Sequence, residues 1–112
     1  MIIAITSKGE GLNSVADHHF GRAEGFTFYN TESDTIEFVS NLSNKNASQG
    51  AGTQSAAIMA HYKVKAVVSG SFGPKAEQSL SAQNIKMWTF KGELTIQDII
   101  EQIKAGKIGD IE

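Results

Sequence analysis

The order of its short apolar segments restricts this chain to a small set of folds. Apolar runs of four to six residues stand at 1–6, 66–69 and 85–88. Runs this short, with β-branched side chains among them, are typical of buried strands. Two further segments, 25–29 and 35–39, alternate apolar with polar residues and are joined by a polar link. This alternation predicts a hairpin whose strands each turn one face to the core.

Helical patterns separate the later strands. One covers 51–62, and a second begins at Pro74 and ends near residue 83. Proline suits the first position of a helix because its missing N–H would have no partner there. The last helix has the clearest periodicity, with isoleucine at i, i+3, i+4 and i+7: Ile96, Ile99, Ile100 and Ile103. Thr95 and Asp98 predict its amino-terminal cap, and residues 105–106 its end.

The resulting order, βββαβαβα, predicts a single α/β domain over residues 1–112. Right-handed crossovers place the strand at 66–69 beside the first strand and the strand at 85–88 outside it. Five strands then form a mixed sheet in the order 3-2-1-4-5, with the second strand antiparallel and three helices on the faces, which is the ribonuclease H-like layout. The apolar periodicity predicts seven buried side chains: Ile3, Ile5, Phe28, Val67, Ile96, Ile99 and Ile103.

Composition excludes several functional classes. Ten basic against twelve acidic residues give a net charge of −2, which argues against general binding to nucleic acid or to membrane surfaces. No apolar stretch approaches the roughly 18 residues that span a bilayer, and the first residues lack a basic signal-peptide region. The expected location is therefore the cytoplasm. Cysteine is absent, so the chain has neither a disulfide nor a thiolate metal site.

Ligands of open α/β sheets collect outside the carboxyl ends of the parallel strands. Four segments are predicted to meet at that edge: 7–24, 40–52, 70–73 and 89–94. Two of them lead into helix amino termini, at Gly50, Gly52 and Thr53 and at Gly73 and Lys75, after the turn that begins with Gly70. Free backbone N–H groups and the helix dipole favour anions there, and glycine allows close approach. The alternative is that these glycines only form ordinary turns between a strand and the following helix.

Four side chains near this edge carry positive charge or hydrogen-bond donors: His18, His19, Arg22 and Lys75. Imidazole is a common metal ligand. Consecutive residues diverge, however, so only one of the two histidines is expected to reach a given pocket, and both are alternatively surface or packing residues. His61, late in the first helix, is interpreted as a packing residue.

The chemistry of a hydrolase is missing from the sequence. A ribonuclease H-like nuclease needs carboxylates on the first and fourth strands to hold Mg²⁺, and neither MIIAIT nor AVVS carries one. Asp17 and Glu24 are loop residues without a partner motif. No serine stands in a G-x-S-x-G elbow. These absences predict a protein that is not an enzyme.

Three motifs together resemble the dinitrogenase iron–molybdenum cofactor biosynthesis family. They are residues 19–23 (HFGRA), 50–52 (GAG) and 70–76 (GSFGPKA), and the similarity extends over essentially the whole chain. The resemblance implies a ribonuclease H-like fold. It also implies a non-catalytic binding or carrier protein for an iron–molybdenum or other metal–sulfur cluster, or a precursor, held noncovalently, with proteins of cofactor assembly as partners.

The resemblance also implies roles for individual residues. His19 would be a metal ligand or a donor facing the cluster, and Arg22 would neutralise anionic charge, while Phe20 alternatively packs the loop onto the sheet. Many members have histidine just before the Gly-x-Gly motif, where this chain has Gln49, and an amide is a poor ligand for soft metals. The alternative functions are a small-oxyanion or phosphate binder and a protein-interaction module.

Overall fold

A computed structural model describes residues 1–42 and 51–109. Its elements follow the predicted order, with bounds that differ from the predicted ones by a residue or so. They are β1 (Ile2–Ser7), β2 (Gly25–Asn30), β3 (Thr35–Ser40), α1 (Ala51–His61), β4 (Ala66–Ser69), α2 (Pro74–Ala82), β5 (Lys86–Thr89) and α3 (Ile96–Lys104). None of the helices in these ranges is both long enough and apolar enough to cross a membrane.

The sheet has the predicted order, β3-β2-β1-β4-β5. Strand β2 is antiparallel to both of its neighbours, whereas β1, β4 and β5 run parallel. Ala4, for example, lies between Phe28 of β2 and Val67 of β4. Because β3 runs in the same direction as β1, four strands end at one edge of the sheet. We call this edge the carboxyl edge.

Each face of the sheet carries its own core cluster, since successive side chains of a strand point to opposite faces. On one face, Ala4 and Val67 pack with Met59 of α1 and Leu80 of α2. On the other face, Ile3 and Ile5 of β1 pack with isoleucines of α3 and with Ile108 beyond it. Helices therefore cover both faces, and the central parallel strands β1 and β4 are buried along almost their whole length.

Six of the seven predicted core residues are buried: Ile3, Ile5, Phe28, Val67, Ile96 and Ile99. The prediction for Ile103 is wrong, since it is only partly buried at the margin of its cluster. Ile103 lies in the final turn of α3, where the helix ends and no further turn covers the side chain. Ile100, which is 6% exposed, and Ile108 occupy the buried positions at this end instead.

The amino terminus of α3 is closed by hydrogen bonds. The predicted capping box is confirmed: the N–H of Asp98 donates to the Thr95 hydroxyl at 3.1 Å, and the N–H of Thr95 donates to the Asp98 carboxylate at 3.0 Å. The first two residues of the helix donate to the carbonyl oxygens of Ser14 and Leu12, at 2.9 and 3.0 Å. The free N–H groups that a helix normally offers in its first turn are therefore occupied in α3.

The segment between β1 and β2, residues 8–24, is ordered by backbone contacts to other elements; we call it the edge loop. The N–H of Asp17 donates to the carbonyl of Thr6 at 2.8 Å, and the N–H of Ala16 donates to that of Leu94 at 2.8 Å. Near its far end, residues 19 and 71 form an isolated bridge. The prediction of a long ordered loop is confirmed.

A polar cluster ties the β2–β3 hairpin to α3 on the far side of the protein. The Tyr29 hydroxyl donates to Asp34 at 2.7 Å, and the Lys104 ammonium lies 2.9 Å from the same carboxylate oxygen. The hydrogen bond from Tyr29, followed by the contact with Lys104, lowers the pKa of Asp34. The hydrogen bond to Asp34 in turn raises the pKa of Lys104 and that of Tyr29.

Candidate functional site

A cavity of about 580 Å³ opens at the carboxyl edge, on the face covered by α1 and α2. It is lined by residues 19–22 of the edge loop, by Gly52 of α1, and by residues 71–76 from the turn after β4 and the first turn of α2. Two of the three family motifs supply nearly all of this lining. The topology brings them together because the loops that follow β1 and β4 leave adjacent parallel strands at the same end.

The structure brings five of the eight predicted site residues around this cavity: His19, Arg22, Gly52, Gly73 and Lys75. Thr53 is exposed on α1 and does not line the cavity. Gly50, together with Gln49, lies outside the described residues. The participation of the five lining residues in ligand binding stays a prediction.

Gly70 is not among the residues that line the cavity and packs against His18 instead; its part in ligand binding stays a prediction. A Cβ at this position would overlap the imidazole of His18, with His18 Cβ and Cγ both at 2.8 Å. The His18 ring is packed instead against Phe90, with 4.7 Å between ring centroids. Gly70 therefore leaves space for the ring of His18, which faces away from the cavity. The prediction that the adjacent histidines diverge is confirmed.

Gly52 brings two helix ends close together at the cavity. A Cβ at residue 52 would lie 3.1 Å from the Cβ of Ala76 and 3.4 Å from its backbone nitrogen. The first turns of α1 and α2 thus approach more closely than a side chain would comfortably allow. A Cβ at Gly73, by contrast, would meet nothing within 4 Å, so that glycine leaves its side of the cavity open.

The amino terminus of α2 is open where that of α3 is closed. Gly73 is its N-cap and supplies no capping side chain, and Pro74 follows at the first position as predicted. The first hydrogen bond inside the helix runs from the N–H of Glu77 to the carbonyl of Gly73, at 2.9 Å. The N–H groups of Lys75 and Ala76 precede that bond, and their residues line the cavity. This end of α2 therefore offers donors and a positive dipole to an anion.

The cavity combines positive charge with apolar surface. Among the described residues, its ionisable lining consists of His19, Arg22 and Lys75, all exposed, and includes no carboxylate. The remaining wall includes Phe72, Pro74 and Ala76. A site with this composition suits an anion whose surface is polarisable and weakly hydrated, because the apolar wall offers a small hydrated ion nothing in exchange for its water.

Phe20 packs the edge loop onto the sheet, as the alternative interpretation of this residue predicted. It is 1% exposed, and its ring centroid lies 5.6 Å from those of both Phe26 and Phe72. Burial of an aromatic ring of this size is worth a few kcal/mol. Phe20 is therefore the anchor that holds its neighbours, His19 and Arg22, at the mouth of the cavity.

Asp17, which the sequence predicts to be a loop residue without a partner motif, contacts His19 of the cavity lining. One of its carboxylate oxygens, Oδ1, accepts the backbone N–H of His19 at 3.1 Å and lies 3.6 Å from His19 Nδ1. The Asp17 side chain is 12% exposed, whereas that of His19 is 72% exposed. The sequence does show this aspartate two positions before His19, the histidine that begins the HFGR motif. That spacing was the signal from which the contact could have been predicted.

Asn41 was also missed, because it lies in a polar stretch that looks like an ordinary linker. Its side chain is fully buried. The amide Nδ2 donates to the carbonyl oxygens of Gly21 at 3.3 Å and Ala23 at 3.1 Å, and Oδ1 accepts from the hydroxyl of Ser55 in α1 at 3.3 Å. Asn41 thus connects the carbonyl groups of the residues on either side of Arg22 to α1.

The described residues contain no group of three or more histidine, cysteine, aspartate or glutamate side chains that could hold a bare metal ion. Within those ranges, the ligand set for a chelated ion is therefore missing. The cavity offers one imidazole, cationic side chains and backbone N–H groups instead. These groups fit a preassembled anionic species better than a free cation.

Comparison with known proteins identifies the family. The sequence profile described as dinitrogenase iron–molybdenum cofactor matches residues 1–106. The chain belongs to this family. The match includes every residue that lines the cavity, and the family's association with a metal cofactor agrees with the resemblance carried by the three motifs.

Individual relatives match this chain over most of their length. The apo form of the orange protein from Desulfovibrio gigas superposes with a TM-score of 0.91 and is 32% identical, with 96% of this chain and 90% of that protein covered. A NifB-like protein from Thermotoga gives a TM-score of 0.84 and 29% identity, with the same coverages. An uncharacterized protein of Methanocaldococcus jannaschii is 31% identical over 104 residues, covering 89% of this chain and 86% of its own.

Proposed function

We propose that this protein is a non-catalytic carrier of an anionic metal–sulfur cluster, of the iron–molybdenum type or a precursor of it. The cluster is held noncovalently in the cavity at the carboxyl edge. In this role the protein exchanges the cluster with proteins of cofactor assembly in the cytoplasm. Membership of the dinitrogenase iron–molybdenum cofactor family supports the class of ligand.

The observation that carries the proposal is the pairing of an open helix terminus with a cationic, carboxylate-free cavity. The N–H groups at the start of α2, the guanidinium of Arg22 and the ammonium of Lys75 supply positive potential around one space of about 580 Å³. Hydrogen bonds to charged groups are about twice as strong as neutral ones. Since the chain has no cysteine, retention of the cluster depends on these contacts and on the imidazole of His19.

A carrier role also agrees with the lack of catalytic groups at the sheet. Strands β1 and β4 contain no acidic residue, so the metal-binding carboxylates of a ribonuclease H-like nuclease have no counterpart there. Asp17, whose carboxylate contacts His19 of the cavity lining, is turned to the backbone N–H of that residue. We propose that no reaction is catalysed at this site.

The proposal is tested by loading the purified protein in the absence of oxygen. The apo protein is mixed with tetrathiomolybdate and ferrous iron and then desalted, and the retained species is measured by visible absorption and by iron, molybdenum and sulfide content. Parallel titrations use molybdate and inorganic phosphate. We expect retention of the sulfide species and weak binding of the two oxyanions. If phosphate binds as tightly as the sulfide species or more tightly, the protein is an oxyanion binder instead. If none of these compounds binds, the cavity is rejected as a ligand-binding site.

Variants locate the binding site. Arg22→Ala removes one charge-assisted contact, worth about 1.5–3 kcal/mol, and is expected to lower affinity about tenfold or more. His19→Ala is expected to affect the metal–sulfur species more than an oxyanion, because only the former can use a metal–imidazole bond. Lys91→Ala removes an exposed charge at the same edge but outside the cavity lining, and it serves as the matched control.

A further inference from the structure

The contact between Asp17 and His19 is directional. The carboxylate oxygen Oδ1 lies 3.6 Å from Nδ1 of the imidazole and accepts the backbone N–H of the same residue at 3.1 Å. Nδ1 is therefore the ring nitrogen that faces negative charge. Nε2 is the distal nitrogen of the ring, on a side chain that is 72% exposed and lines the cavity.

Asp17 is itself held in place by the ends of two strands. Its backbone N–H donates to the carbonyl of Thr6, and its own carbonyl accepts the hydroxyl of Thr6. That hydroxyl is also within 3.1 Å of the Ser69 hydroxyl at the end of β4. The residue is 8% exposed. The carboxylate is thus fixed relative to the sheet, whereas the ring beside it is largely free of packing.

We infer that Asp17 is a positioning residue that holds the neutral His19 ring in the tautomer protonated at Nδ1, with the unshared electron pair of Nε2 presented at the cavity. A proton on Nδ1 faces the carboxylate favourably, whereas an electron pair there would be repelled. An imidazole that binds metal through one nitrogen commonly has its other nitrogen oriented by a carboxylate, which fixes the ring and raises its basicity. The binding of a metal–sulfur cluster through the electron pair of Nε2 rests on the proposed function, whereas the tautomer of the His19 ring does not.

The test reads the tautomer of the ligand-free protein directly. Two-bond ¹H–¹⁵N correlation spectra of the uniformly labelled protein, recorded at about pH 8.5 where an ordinary imidazole is neutral, distinguish protonation at Nδ1 from protonation at Nε2. The variant Asp17→Asn has nearly the same shape and keeps an oxygen acceptor for the His19 N–H, but it removes the charge. Glu10→Gln removes the same charge from an exposed position of the edge loop and is the matched control. His61 provides an internal reference.

We expect the Nδ1–H form of His19 to predominate in the parent and in Glu10→Gln, and the Nε2–H form to become the major one in Asp17→Asn. A parent spectrum with Nε2–H as the major form would overturn the inference without any variant, so the test survives a variant that fails to fold. An unchanged tautomer in folded Asp17→Asn would overturn it as well.

Loading with tetrathiomolybdate and ferrous iron separates this inference from the proposed function. Loss of the group that holds the other ring nitrogen of a metal-bound histidine commonly lowers the affinity for the metal about 10–100-fold. Asp17→Asn is therefore expected to retain about tenfold less of the cluster than Glu10→Gln. If the parent retains none, the proposed function fails while the spectra still decide the role of Asp17. If Asp17→Asn shifts the tautomer and retains as much cluster as the parent, presentation of Nε2 to the ligand is refuted.

Discussion

Replacement of Asn41 by alanine is expected to damage both stability and the site. The side chain makes three hydrogen bonds in a position sealed from solvent: two to the carbonyl oxygens of Gly21 and Ala23, and one from the Ser55 hydroxyl. Alanine leaves all three partners without Asn41 and opens a small void. The two carbonyls belong to the residues on either side of Arg22, so the loss acts directly on the wall of the cavity.

The expected magnitude follows from the number of bonds. A buried hydrogen bond contributes about 0.5–1.5 kcal/mol net, so three together give a loss of about 1.5–4.5 kcal/mol in the free energy of unfolding. For a chain of 112 residues, each kcal/mol lowers Tm by about 4 °C, which gives a fall of about 6–18 °C. Ser55→Ala removes only one of the three bonds and is expected to cost about 1 kcal/mol.

Urea denaturation of the parent, Asn41→Ala and Ser55→Ala, followed by circular dichroism, measures the midpoint and slope for each protein. Titration of the three proteins with the anionic ligand then measures how tightly each cavity binds it. We expect Asn41→Ala to be the least stable and to bind most weakly, because the backbone around Arg22 loses its anchor. The reasoning is refuted if the two variants are equally stable, or if Asn41→Ala binds as tightly as the parent.

Three further predictions concern packing and charge. Ile99→Ala, at a fully buried position, is expected to cost about 2–5 kcal/mol, and Ile103→Ala less than half as much; equal midpoints in urea would contradict the difference in burial. Gly70→Ala is expected to cost about 1–3 kcal/mol through overpacking, whereas Gly73→Ala, where a Cβ meets open space, should leave Tm nearly unchanged. The lowered pKa of Asp34 stabilises the fold at pH values above the ordinary 3.8, and this contribution is lost as pH falls through the lowered value. Asp34→Asn should therefore lose less stability than the parent between about pH 5 and pH 2, and parallel pH profiles of the two proteins would rule this out.

The strand order was predictable because each step depends on a local pattern or on handedness. Short apolar runs identified the parallel strands, alternation identified the hairpin, and right-handed crossovers placed β4 next to β1. The capping box of α3 was likewise readable, since Thr95 and Asp98 interact within one turn. The burial of Ile103 was predicted wrongly because periodicity identifies the apolar face of a helix but not the point along the helix where the packed cluster ends.

The gathering of the motif residues around one cavity was predictable, whereas the contacts that support the cavity were not. Gly70 precedes a helix in the same way as a ligand-binding glycine, and only the three-dimensional structure shows the His18 ring against it. Asn41 stands among other polar residues, and its burial depends on carbonyl groups 18 and 20 positions away in sequence. Such long-range pairings leave no periodic signal in one sequence. The Asp17–His19 pair was easier to predict, because the two residues stand only two positions apart in the sequence.

The two core clusters have a consequence for how this protein can change during evolution. The cavity borders the cluster beneath α1 and α2, whereas α3 and its isoleucines occupy the opposite face of the sheet. Mutations inside the α3 layer are therefore expected to alter tolerance to heat with little effect on the lining of the cavity. Such a division would let a lineage adapt to a new growth temperature with one half of its core while the half that borders the cavity stays unchanged.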